Sequence, residues 1–207
     1  MEIVTAVAYA EVHDAYLRDH PIDRAHEANS NMYGEQNLER ADGIPGGWWR
    51  VRLSRADVLG IMLPWHLSEG GELELVPRSG LTVGEAADRI RAAGAAWTAA
   101  NPVCAAKLRL LRSAPFTPVY LSTAPVDHSD YGDLSVRAGL IHIDGLHRML
   151  AWELAGRLPG RAALDGYLAG DPEAAATPAR RAGSAGSARR GGPARVGGAR
   201  RTGGGSA

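Results

Sequence analysis

The sequence predicts an α+β fold: a single domain in which helices flank a small mixed sheet, followed by a disordered C-terminal tail. Three observations predict it. Strand-like alternation and helical spacing occur in separate stretches interleaved along the chain. The clearest is Gly139 to Gly156, where GLIHIDGLHRMLAWELAG passes from one period to the other. The 207 residues are 45% hydrophobic, enough for one core of ordinary size. From Ala174 onward the chain is dominated by Ala, Gly, Arg, Ser and Pro, and it cannot bury enough apolar surface to offset its ordering entropy. The expected organisation is residues 1–109 as a mainly helical part with a short strand pair, residues 110–173 as a unit built on the strand–helix stretch, and residues 174–207 as the tail.

In chain order, Thr5 to Asp19 reads as an amphipathic helix with Val7, Val12, Tyr16 and Leu17 on its apolar side, closed by Pro21. Arg24 to Arg40 has mixed polarity and reads as helix broken by loop. Asp42 to Gly47 is a turn cluster. Trp48 to Leu53 alternates as a strand, and Ser54 is placed to cap a helix over Arg55 to Leu63 that Pro64 ends. Trp65 to Gly71 reads as a loop and Glu72 to Val76 as a strand. These two strands either form a small sheet of their own or extend the main one. Thr82 with Glu85 makes a capping box for a helix running to Ala100. Asn101-Pro102 breaks it, and Val103 to Leu111 continues as a second helix. Val119 to Ser122 is a strand, and the polar segment Thr123 to Arg137 is a long connection suited to a lid.

The stretch with chemistry is the junction Asp144-Gly145-Leu146-His147-Arg148. Leu140, Ile141 and Ile143 alternate with His142 as a strand, and Gly145 can take backbone angles closed to other residues. From Leu146 the apolar residues fall at helical spacing until Gly156. The first turn of a helix carries unpaired N–H groups and the positive end of the dipole, so a phosphate can sit there. His147 would donate to it, and Arg148 would pair with it or support the loop from behind. Asp144 would hold the loop, help bind a metal, or cap the helix.

Ile143-Asp144-Gly145-Leu146-His147-Arg148-Met149-Leu150-Ala151 resembles the I-D-G-x-H-R-x-x-A signature of the ParB/sulfiredoxin-like superfamily. Thr117 to Leu121 resembles that family's P-I-x-V strand, and Leu164 to Leu168 its last short strand. The resemblance covers roughly Leu110 to Gly170. It implies a small α+β nucleotide-binding unit using ATP or ADP, or CTP, with Mg²⁺, and a kinase-like transfer to a small hydroxyl-bearing metabolite. The alternative it implies is a nucleotide-sensing module without turnover. Gly145, His147 and Arg148 are then expected to hold the nucleotide, Asp144, His147 and Asp127 to carry catalysis, and Asp127 with Asp130 to hold the metal. The family's kinases supply a glutamate ahead of the P-I-x-V strand. Ser113 to Thr117 contains no acid, so a base falls to Asp127, Asp130 or Glu69. Sulfiredoxin chemistry needs a cysteine where Leu146 stands. Partition proteins follow the nucleotide fold with a helix-turn-helix, which the sequence after Gly170 does not show.

Composition narrows the rest. The formal net charge of zero hides an asymmetry, since all 23 acidic residues lie at or before Glu173 and seven arginines lie beyond it. The acidic body argues against a broad nucleic-acid surface. One cysteine, Cys104, excludes an internal disulfide and a cysteine-rich zinc site, and reads as inert packing. No apolar segment is long enough for a bilayer and no secretory pattern opens the chain, so a cytoplasmic protein acting on small molecules is expected. His66 and Glu69 read either as a metal or acid–base pair or as packed surface residues. His13, His20 and His26 have no partner at ligand spacing.

Overall fold

The structure is a computed structural model that describes residues 1–21, 33–67 and 73–176. Its centre is a seven-stranded mixed sheet. In chain order the strands are β1 (Glu2–Val7), β2 (Trp48–Leu53), β3 (Met62–Leu63), β4 (His66–Leu67), β5 (Glu74–Val76), β6 (Leu81–Thr82), β7 (Val119–Ser122), β8 (Ile141–Asp144) and β9 (Leu164–Ala169). The sheet order is β1-β2-β9-β7-β8-β3-β6, and β4 and β5 form a separate ribbon. The strand β7 runs parallel to β9 and antiparallel to β8, and β8 runs parallel to β3. The expected α+β class is the one observed. The first 109 residues contribute four strands to the same sheet that carries β7, β8 and β9.

The helices are α1 (Tyr9–Asp19), α2 (Gly34–Asp42), α3 (Arg55–Gly60), α4 (Val83–Ala100), α5 (Pro102–Leu111), α6 (Leu146–Leu154) and α7 (Pro172–Ala176), with a 3₁₀ turn at Ser129–Tyr131. The period of two along each strand sends alternate residues to opposite layers. Tyr120, Ile141, Ile143 and Tyr167 pack with Val12, Tyr16 and Leu38 of α1 and α2. Val119, Leu121 and Leu168 pack with Ile90, Leu108 and Trp152 of α4, α5 and α6. The expected capping box of Thr82 with Glu85 opens α4, and the expected cap at Ser54 forms as a box with Asp57 that opens α3. Each such cap stabilises its helix by about 1 kcal/mol. Pro102 opens α5, where its missing N–H costs nothing, and α4 is kinked at Gly94 (φ 52°, ψ −127°).

Several boundaries differ from the sequence expectations for one physical reason, strand pairing with distant segments. Thr5 to Val7 is not helical. It lies in β1, whose β-branched run pairs with β2, Val7 opposite Trp48. The helix expected to reach Leu63 stops at Gly60, because Met62 pairs with Ile141 of β8. Of the two expected short strands, Trp48–Leu53 extends the main sheet through β9, whereas Glu74–Val76 pairs with His66–Leu67 in the ribbon. Helix α7 continues to Ala176, past the expected start of the tail at Ala174. The rest of that tail, with its arginines, lies outside the described residues, as do His26, Glu69 and most of the expected broken helix before Tyr33. No helix among the described residues is long and apolar enough to cross a membrane.

Candidate functional site

The site is organised by β8 and the helix that follows it. All four residues of β8 are buried. Gly145, at φ 111° and ψ 10°, is the left-handed residue that turns the strand into α6. A Cβ there would sit 3.0 Å from Val119 Cγ1 and face a strained φ, so glycine is required locally. Helix α6 then directs its first turn at a cavity of about 70 Å³. Gly145, Leu146 and His147 line it from the corner, His142 and Asp144 from β8, and Asp130 and Tyr131 from the 3₁₀ turn. Asn37 of α2 and the segment Pro64 to His66 complete the wall.

The corner is largely committed to itself. Arg148 is buried, and its Nη2 donates to Asp144 Oδ2 at 2.5 Å. Its Nη1 donates to the Pro118 carbonyl at 2.9 Å and to Thr117 Oγ1. His20 Nε2, from the end of α1, lies 3.2 Å from the same Asp144 oxygen. Burial by itself would raise the Asp144 carboxyl. The Arg148 guanidinium and His20 outweigh it and hold the group well below the usual carboxylate range. Of the roles open to Arg148, the one observed is support of the loop from behind. Asp144 is not the helix cap, since the capping position is Gly145 and no side chain caps α6.

His142 carries the least satisfied polar group at the cavity. Burial pushes its pKa down to about 4, with Asp144 only partly opposing, so the ring is neutral at physiological pH. Its Nε2 accepts the Leu146 N–H at 2.9 Å, which places the ring proton on Nδ1. That Nδ1 is buried and has no hydrogen-bond partner among the described residues. A buried donor left unmade costs about 1–3 kcal/mol.

His147, also buried, has a ring pKa pushed well down by burial and then by the neighbouring His66, Lys107 and His142. Its Nε2 is 3.4 Å from Cys104 Sγ of α5, and Cys104 Sγ is 3.9 Å from His66 Nε2 of β4. Of the expected Asp127–Asp130 metal pair, one member lines the cavity and the other does not. Asp127 is exposed and off the cavity, and only Asp130 lines it. Among the described residues the one group of three metal-type donors is His66, Cys104 and His147. Of the expected site residues, the fold brings Asp144, Gly145, His147 and Asp130 to one cavity, turns Arg148 into its support, and leaves Asp127 outside. Sequence reasoning assigned no chemistry to His20 and treated Cys104 as packing. Their contacts join segments far apart in the chain, and no local spacing announces them.

No curated protein and no solved structure matches the chain. The model of a family of unknown function, DUF6309, matches residues 1–188 of the 207, and the chain belongs to that family.

Proposed function

We propose that this protein is a nucleotide-binding module of the ParB/sulfiredoxin-like kind, with the cavity at the Asp144–Arg148 corner receiving one phosphoryl group. The observation that carries it is a cavity lined by the N-terminal turn of α6 and by the His142 ring, whose buried Nδ1–H has no partner among the described residues. Both features favour an oxyanion. At about 70 Å³ the cavity is far smaller than the roughly 300–1,000 Å³ of most small-molecule pockets. It has room for a phosphoryl-sized group, and the base and sugar would lie outside it. Arg148, spent on Asp144, positions the loop and does not face the phosphate.

Calorimetry of the full chain with ATP, ADP, CTP and pyrophosphate tests this. Stoichiometric binding is expected, sharply weakened in His142→Phe. No binding of any of the four refutes the proposal. A second reading, a phosphotransferase acting on a small hydroxyl-bearing metabolite, is favoured by Asp130, the one acid of the Thr123–Arg137 connection that reaches the cavity wall. It predicts that Asp130→Asn keeps nucleotide binding and abolishes transfer. Equal turnover in the variant removes it.

A further inference from the structure

Beside this cavity three side chains from three elements converge. His66 comes from the β4–β5 ribbon, Cys104 from α5 and His147 from α6. Their nitrogen, sulfur and nitrogen atoms all lie within 4.8 Å of one another. Cys104 is fully buried, His147 is buried, and His66 is half-buried.

We propose that His66 Nε2, Cys104 Sγ and His147 Nε2 form a site for a borderline-soft divalent transition ion, zinc foremost. The distances suit it. Bonds of about 2.0–2.1 Å to nitrogen and about 2.3 Å to sulfur in a tetrahedral ion place nitrogen and sulfur about 3.6 Å apart. The observed separations are 3.4 Å for His147 and 3.9 Å for His66. Both nitrogen–sulfur separations are therefore within about 0.3 Å of that value, and the two imidazole nitrogens, which lie within 4.8 Å of each other, would close to about 3.3 Å around the ion.

The donor set also selects the metal. One thiolate and two imidazoles suit zinc, cobalt or copper, whereas magnesium and calcium take oxygen ligands. On binding, the Cys104 thiol proton leaves to solvent and the sulfur lone pair forms the bond to the ion. Three protein ligands do not close a tetrahedron. His66 and His147 both line the cavity, so the fourth position opens onto it, as in sites that hold water or a reacting oxygen. An ion there would place positive charge beside the cavity whose arginine is already neutralised by Asp144. The competing account is a buried Cys–His contact that serves packing alone.

The site stands on its own three side chains and does not depend on the phosphoryl proposal. The test is a titration of the metal-free, reduced full chain with Co²⁺ and then Zn²⁺, with no nucleotide present. One equivalent per chain is expected, with the intense visible bands of tetrahedral cobalt and a thiolate-to-cobalt charge-transfer band, both displaced by stoichiometric Zn²⁺. Cys104→Ser should remove the charge-transfer band, and His66→Ala should weaken Zn²⁺ binding by more than about tenfold. Should Cys104→Ser fail to fold, the half-buried His66→Ala, checked by circular dichroism, decides alone. A pale octahedral spectrum, substoichiometric uptake, or His66→Ala binding as tightly as the parent chain overturns the proposal. Nucleotide calorimetry on the metal-free chain is scored separately, so either proposal can fail without the other.

Discussion

Replacing Arg148 by Met separates a structural guanidinium from one held for a ligand. In the folded chain Arg148 donates to Asp144, to Thr117 and to the Pro118 carbonyl, and Asp144 is buried. Removing one partner of such a buried pair leaves an uncompensated carboxylate and costs about 3–5 kcal/mol. For a domain of this size that is a fall in Tm of about 6–20 °C. The variant should also change its pH dependence. In the parent chain Asp144 is held well below its unfolded value, so its contribution is present above that value and is lost as pH falls through the folded one. Without Arg148 burial dominates and the carboxyl takes up a proton at higher pH. The stability gap between parent and variant should therefore narrow on acidification, and Asp144→Asn added to Arg148→Met should recover part of the loss. Urea unfolding at neutral and at mildly acidic pH measures all three. A neutral-pH loss below about 1 kcal/mol, far under the cost of breaking a buried pair, refutes the reasoning and returns Arg148 to the ligand.

Two further substitutions probe the frame around the site. Gly145→Ala forces a side chain into φ 111° with its Cβ 3.0 Å from Val119, and should destabilise by about 1–3 kcal/mol in urea unfolding; an unchanged midpoint means the corner relaxes. Glu153 is buried and bonded to Arg55 at 2.7 and 2.9 Å and to Arg91 at 2.7 Å. Burial alone would raise its pKa, but the two guanidiniums outweigh it and the net shift is downward. Its contribution is thus present above the unfolded value and lost as pH falls through the folded one. Glu153→Gln should be less stable at pH 7 and lose less on acidification, and parallel pH curves for the two proteins would contradict that assignment.

What could be read in advance was what local chemistry decides. The turn at Gly145, the cap at Ser54, the capping box at Thr82 and the break at Pro102 depend on residues within one helical turn, and all form as expected. Strand β3 has two residues, and β1 is an edge strand. Each is stabilised by a partner far along the chain, so local periodicity assigned β3 and the last three residues of β1 to helices. The same division holds at the site. Asp144 to Arg148 is contiguous and was singled out. Asp144 pairs with Arg148 across the Gly145 corner, and the pairing consumes the charge that made the motif suggestive. His20 reaches Asp144, and His66 reaches Cys104, only because the layers stack. Asp127 and Asp130 were grouped by proximity in sequence, and the 3₁₀ turn that begins at Ser129 sends only the second inward.

Among the described residues, the ribbon bearing His66 shares no ladder with the seven-stranded sheet. Its neighbour Trp65 is moored by its backbone N–H to the Asp130 carbonyl and by its indole to Glu74, under the Arg78 guanidinium. Hasp and staple are thus built from different parts of the chain. An ion seated between the ribbon and the two helices behind it would act as the pin, and proteolysis of the hasp would slow in step with occupancy.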